Sequence, residues 1–127
     1  MAVKGTFDVD LCPQNDKNTP AGRMVIEKKY TGAMVGLGLG QMISKRTDSG
    51  VAVYFAIEEF VGCVDEKDGS FTLLHQGKMS AEEQSLEISI LAGSGIGALT
   101  NICGNMRIIQ QDGKHRYELD YQLSLLV

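Results

Sequence analysis

The sequence predicts an all-β protein that folds as one closed antiparallel barrel of about eight strands. Apolar side chains recur at every second position in most segments, which is the period of a half-buried strand. Fifteen glycines and only two prolines divide the chain into short segments that leave little room for long helices. An open sheet of this size would expose two edges, and closure into a barrel removes both.

Eight segments carry the strand pattern, and turn residues separate them. In the first segment, Phe7, Val9 and Leu11 alternate with charged residues. The predicted strands cover residues 4–11, 23–30, 34–44, 51–64, 70–79, 86–90, 103–110 and 116–125. Residues 65–69 are the predicted loop of the central hairpin, and residues 80–84 are a candidate for one helical turn.

Length and charge exclude several classes of protein. A chain of 127 residues with 43% hydrophobic residues can bury one core, so we expect a single domain over residues 1–127. The net charge of −4 and the scattered basic residues argue against a nucleic-acid partner. No segment approaches the length of a membrane helix and none resembles a secretion signal, so we expect a cytoplasmic protein without a membrane partner.

We predict no cofactor and no metal. Three cysteines without a CxxC pair fit neither a disulfide framework nor a zinc site, and two histidines without clustered carboxylates do not supply a ligand set. Gly36, Gly38 and Gly40 do not predict a phosphate-binding loop, because no helix follows them. They leave one face of their strand bare, which indicates the close approach of a neighbouring element, a subunit or a ligand.

One pair of ionisable residues is predicted to share an apolar face. A hairpin centred near Glu66 and Lys67 would place Glu58 directly opposite His75, with Tyr54 on the same face. A buried carboxylate and imidazole are costly unless they bond to each other, and their pKa values should be perturbed. The pair could exchange protons with a substrate, or it could be a structural pair that fixes the register of the strands.

The last strand offers a second group of candidates. Tyr117 and Tyr121 alternate there with Glu118 and Asp120. If the aromatic side faces the interior, the tyrosines are candidates for a pocket; if it faces the exterior, Asp120 is. The candidate ligand-binding residues are therefore Tyr54, Glu58, His75 and Tyr121, of which Glu58 and His75 are also the candidate catalytic residues.

Several short pieces of the sequence resemble a known family. They are residues 5–9, 22–24, 40–42, 56–58, 69–71, 75–79 and 112–121. Together they resemble the bacterial domain-of-unknown-function family 3224 over almost the whole chain. Proteins of that family are similar to the allene oxide cyclase barrel, an eight-stranded fold shared with plant dirigent proteins and often found as oligomers. The resemblance thus implies a barrel and a homo-oligomer, and it assigns no reaction.

Three functions fit these observations, in this order of preference. The first is a barrel that binds a small apolar molecule without chemistry. The second is a structural or interaction module, whose barrel is filled by its own side chains and whose exterior forms an oligomer. The third is a cyclase or isomerase of an apolar substrate, in which Glu58 and His75 act as acid and base while Tyr54 or Tyr121 orients the substrate.

Overall fold

The computed structural model describes residues 1–124, and within that range it contains nine β-strands and no helix, so no helix there could span a membrane. The strands are β1 (Ala2–Gln14), β2 (Gly22–Gly32), β3 (Met34–Arg46), β4 (Ala52–Val64), β5 (Lys67–Met79), β6 (Gln84–Ile90), β7 (Ile96–Gly97), β8 (Ile102–Gln111) and β9 (Lys114–Leu123). The all-β prediction is confirmed. The predicted helical turn at 80–84 is wrong, because the Ser80 hydroxyl accepts a hydrogen bond from the Glu83 N–H and closes a bend. The last strand ends at Leu123, and the predicted end at residue 125 lies outside the described residues.

Eight of the strands form a closed antiparallel barrel. Around the barrel the order is β1, β2, β3, β4, β5, β6, β8 and β9, and β9 pairs with β1 to complete the ring. The ninth strand, β7, adds two residues beside the start of β5. Closure gives every barrel strand a hydrogen-bonded neighbour on both sides, as the edge argument predicts.

The hairpin of β4 and β5 is shifted by two residues from its predicted register. Asp65 and Glu66 alone form the turn, both with positive φ (49° and 67°), and Val64 pairs with Lys67. A two-residue turn with positive φ at both positions matches the twist of the strands; aspartate is common at its first position, whereas Glu66 stands at the second position, where glycine is usual. A shift of two residues preserves the face of every side chain, so Glu58 and the His75 imidazole still point to the same side.

Large side chains fill one half of the barrel. These buried residues include Met34, Phe60, Val64, Phe71, Leu73, Ile90, Ile102, Tyr117, Leu119 and Tyr121. Leu99, in the connection between β7 and β8, is fully buried and belongs to the same core cluster. We call this half the closed end of the barrel; the opposite half, where β4 begins and β5 finishes, is the open end.

At the closed end, Tyr117 of β9 forms hydrogen bonds to β2 and to the start of β3. Its hydroxyl accepts a hydrogen bond from the Met34 N–H at 2.7 Å and donates one to the Thr31 carbonyl at 2.8 Å. A Cβ atom at Gly5 would overlap the Tyr117 ring, and Gly32 has a φ of +99°. The two glycines therefore leave the space that the tyrosine occupies.

The bare face of β3 points into the barrel. Gly36, Gly38 and Gly40 lie on the interior side, and the residues between them, Val35, Leu37 and Leu39, are exposed on the outside. A neighbouring element approaches the glycines, as one of the predicted alternatives states. The prediction that a subunit could approach them is wrong, because that side of β3 is enclosed by the barrel.

Candidate functional site

The open end of the barrel contains a pocket of about 260 Å³. Its walls are mostly apolar, and all eight barrel strands contribute to its lining. The apolar wall residues are Val9, Leu11, Ile26, Met42, Ala56, Leu86 and Ile108. For comparison, an apolar cavity of roughly 150 Å³ is large enough to take benzene, so this pocket has room for a molecule of about two fused rings.

Four polar side chains meet around Glu58: Lys28, Glu58 and His75 line the floor of the pocket, and Tyr30 is buried behind them. The Oε1 atom of Glu58 accepts hydrogen bonds from Lys28 Nζ at 2.9 Å and His75 Nε2 at 2.8 Å, and its Oε2 atom accepts one from the Tyr30 hydroxyl at 2.5 Å. All four residues are at most 8% exposed. A charge pair at this depth is tolerated only when the charges are paired and hydrogen-bonded, and here both conditions hold.

Gly38 explains how side chains from β2 and β4 can meet although β3 lies between them. In the sheet, Gly38 is directly beside Lys28 on one side, and Gly40 is directly beside Glu58 on the other. A Cβ atom at position 38 would overlap Glu58 Oε2 and lie 3.0 Å from the Tyr30 ring. The absence of a side chain on β3 therefore creates the space in which the carboxylate reaches its partners.

The surroundings of Glu58 keep its carboxylate ionised. Burial alone would raise the pKa of Glu58, but the hydrogen bond from His75, the charge of Lys28 and the hydrogen bond from Tyr30 outweigh it and lower the pKa from 4.5 to about 2. The pKa of Tyr30, which donates a hydrogen bond to Glu58, shifts in the opposite direction. Its burial, followed by the Glu58 charge, raises that pKa well above 10.0. At neutral pH Glu58 is thus a carboxylate and Tyr30 an uncharged phenol.

An ionised carboxylate only accepts hydrogen bonds, and this fixes the roles of its neighbours. Because Glu58 accepts, the proton of the shared bond is on His75 Nε2, and in the neutral imidazole Nδ1 is then an acceptor. Lys28 uses one of its three N–H donors on Glu58. The pocket floor therefore offers N–H donors from the lysine, and His75 Nδ1 can accept a hydrogen bond in the neutral imidazole or donate one in the charged imidazole.

Aromatic rings surround this polar floor. Lys28 Nζ lies 4.9 Å from the centre of the Phe7 ring, a favourable cation–π geometry. The Phe7 ring packs in turn against His115, with ring centres 5.2 Å apart, at the rim of the pocket. On the opposite wall Tyr54 lies over Gly77, where a Cβ atom would overlap its ring, and burial raises the pKa of the Tyr54 hydroxyl.

The structure brings three of the four predicted site residues together and separates the fourth. Tyr54, Glu58 and His75 all line the pocket. Tyr121 is buried at the closed end, where it donates a hydrogen bond to Asp65, and burial together with this carboxylate raises its pKa to about 12. Asp120, the alternative on the same strand, is exposed and pairs with the amino terminus at 3.3 Å.

The sequence analysis missed Lys28 and Tyr30. Both lie on the inward face of β2, and a lysine at an otherwise apolar face was a signal of a buried charge pair. The second signal was the glycine repeat of β3, because a strand without side chains lets its two neighbours contact each other. Within residues 1–124, no three histidine, cysteine, aspartate or glutamate side chains are grouped to hold a metal ion.

Comparisons with known proteins give a family and a fold. The family model described as a protein of unknown function, DUF3224, matches residues 3–121. A crystal structure of a protein with unknown function of the DUF3224 family, from Shewanella oneidensis MR-1, is similar over 99% of this chain and 98% of its own. It has 35% sequence identity and a TM-score of 0.93. No curated protein matches the chain.

Proposed function

This chain belongs to the DUF3224 family, whose function is unknown, and we propose that it binds a small, largely apolar molecule carrying one hydroxyl group in the open end of its barrel. The single observation that carries the proposal is the division of the interior. Large buried side chains occupy the closed end, whereas the open end keeps a pocket of about 260 Å³ with apolar walls above a polar floor. Ligand sites usually combine these two features.

The polar floor defines the expected head group. A hydroxyl group can accept a hydrogen bond from Lys28 with its oxygen, and because it is both a donor and an acceptor it can also pair with Nδ1 of His75 whether the imidazole is neutral or charged. An apolar molecule without such a group would leave the remaining lysine donors without a partner once water is displaced, which costs free energy. We therefore expect phenols and other apolar alcohols to bind more tightly than hydrocarbons of the same shape.

The alternative of a cyclase or isomerase finds less support in the site. An acid catalyst needs a pKa near the working pH, and the pKa of Glu58 is about 2. Its two oxygens already accept three hydrogen bonds within the protein. The carboxylate is thus suited to hold Lys28 and His75 in position, and the binding function explains the same residues without a reaction.

The experiment is a fluorescence titration with 2-naphthol and with naphthalene, whose signals are easily read because the chain has no tryptophan. We expect saturable binding of 2-naphthol, about tenfold tighter than that of naphthalene, as one net hydrogen bond would give. The variant Ala56→Leu extends a side chain into the pocket and should abolish binding of both probes. Ala81→Leu makes the same change at an exposed position of the β5–β6 connection and should leave binding unchanged.

The variant Lys28→Met distinguishes the contribution of the ligand's hydroxyl group to binding from the contribution of the apolar walls. It keeps the length of the side chain and removes its donors, so naphthalene should still bind while the preference for 2-naphthol disappears. Absence of saturable binding in the wild-type protein would refute the proposed function. Binding that Ala56→Leu does not affect would show that the probes bind elsewhere.

A further inference from the structure

The outside of β3 and β4 is apolar where a barrel exterior is usually polar. Seven large apolar side chains on these two strands are between 48% and 63% exposed. They are Val35, Leu37, Leu39, Ile43, Phe55, Ile57 and Val61. We call this surface the β3–β4 face. The side chains are neighbours in the sheet, since Leu37 pairs with Val61 and Ile43 pairs with Phe55, so they form one continuous patch.

The area of the β3–β4 face is that of a stable interface. Its seven side chains present on the order of 700 Å² of apolar surface, whereas the largest patch on a typical monomer measures roughly 300–600 Å². One partner contributes about 800 Å² to a standard protein interface. Apolar contact of this extent is the main favourable contribution to association in homodimers.

The shape and the border of the face fit a second copy of the same chain. An open depression of about 410 Å³ lies on it, lined in part by Ile43, Phe55 and Ile57, and an apolar side chain of an opposing face can enter it. Charges of both signs border the patch, with Lys29 beside Leu37. Glu27 and Arg23 of β2 also border the patch, beside Leu39 and Ile43, whereas Glu59 lies within it on β4, opposite Leu39 and between Ile57 and Val61.

This border argues against other occupants. Nucleic acid and anionic lipid attract a surface whose charges are all positive, and two acidic side chains flank the centre of this face. A peptide that adds a strand to a sheet needs a free edge, and β3 and β4 are each paired on both sides. A face with mixed charges is compatible with its own copy, because a two-fold rotation brings the same residues from both sides.

We propose that the β3–β4 face is the interface of a homodimer, in which it packs against the same face of a second copy around a two-fold axis. The inner side of the same two strands bounds the ligand pocket, and Glu58 projects from β4 into it. The dimer would therefore cover the outside of the pocket wall without closing its mouth. The interface and the ligand site are separate, so each can be lost without the other.

The test is the mass in solution, measured by light scattering after gel filtration and by sedimentation. The concentrations should run from about 1 µM to about 100 µM, a range that includes the Kd values of weak and of stable dimers. We expect the wild-type protein at twice the chain mass of 13.8 kDa. The variant Leu37→Lys/Val61→Lys places two charges in the middle of the face and should raise Kd at least about 100-fold, because charges without partners oppose burial.

The control variant is Ile96→Lys, which makes the same kind of change at a residue that is 64% exposed and lies outside the β3–β4 face. It should remain dimeric. Circular dichroism and the 2-naphthol titration should be unchanged in both variants, which distinguishes loss of the interface from loss of the fold or of ligand binding. A monomeric wild-type protein at about 100 µM would overturn the proposal. So would a dimer that the double substitution leaves intact, or an assembly of three chains.

Discussion

Replacement of Glu58 by glutamine should destabilise the protein by about 3 kcal/mol. The substitution preserves the shape of the side chain and removes the charge that compensates Lys28, which is 7% exposed. The shift of the Glu58 pKa from 4.5 to about 2 corresponds to about 3 kcal/mol at 1.36 kcal/mol per pKa unit. Removal of one partner from a buried ion pair typically costs about 3–5 kcal/mol, so the two approaches agree.

The same shift predicts how this loss depends on pH. Because the folded protein lowers the pKa of Glu58, the ionised carboxylate stabilises the fold at pH values above about 4.5, and this contribution disappears as the pH falls towards about 2. Between pH 5 and pH 3 the free energy of unfolding of the wild-type protein should fall by about 2 kcal/mol more than that of the Glu58→Gln variant. The difference in stability between the two proteins should therefore shrink from about 3 kcal/mol at pH 7 to about 1 kcal/mol at pH 3.

Urea unfolding followed by circular dichroism at pH 7, 5 and 3 measures these differences. The control is Glu59→Gln, the same chemical change at the next residue of β4, whose side chain is exposed and accepts a hydrogen bond from Thr72. This control substitution should lower the free energy of unfolding by less than about 1 kcal/mol. A loss for Glu58→Gln that stays constant from pH 7 to pH 3, or that does not exceed the loss in the control, would refute the electrostatic account of the pocket floor.

Two further substitutions test the packing inside the barrel, one beside the pocket floor and one at the closed end. Gly38→Ala should lower the thermal unfolding midpoint by about 10 °C, because its Cβ atom would displace the Glu58 carboxylate. Gly40→Ala, where the nearest atom is 3.4 Å away, should cost far less; equal losses in calorimetry would contradict this explanation. Tyr117→Phe should cost about 1–3 kcal/mol in urea unfolding, since a buried N–H and a carbonyl lose their hydroxyl partner. A neutral result there would show that water replaces the hydroxyl.

The fold could be predicted from the sequence because it depends on a local signal. Alternating side chains identify a strand and its buried face without knowledge of its partners, as in Phe7 and Val9 of β1. The positions of the strands followed from that signal, and the closure of the barrel followed from the two edges that an open sheet would expose. The register of the β4–β5 hairpin did not, because it depends on the backbone of Asp65 and Glu66, and a glutamate is unusual at the second position of a turn with two positive φ angles, where glycine is the rule.

The pairing of Glu58 with His75 could be predicted, although their alignment could not. Two polar side chains on one apolar face have few partners other than each other, so contact follows even when the register shifts by two residues. The pairing of adjacent strands alone does not predict the contact between Lys28 and Glu58, since it crosses β3 through the space above Gly38 and is signalled only by the glycines of β3 and the lysine on an apolar face. The placement of Tyr121 at the closed end depends on which half of the barrel is filled, and alternation along a strand carries no information about that.

The most direct test of the central claim is a crystal structure of the protein grown with 2-naphthol. The account predicts the ring between the apolar walls of the open end, with its hydroxyl oxygen within hydrogen-bond distance of Lys28 Nζ and His75 Nδ1. A probe bound only on the outer surface, or a pocket that remains without probe at saturating concentration, would contradict the proposed function.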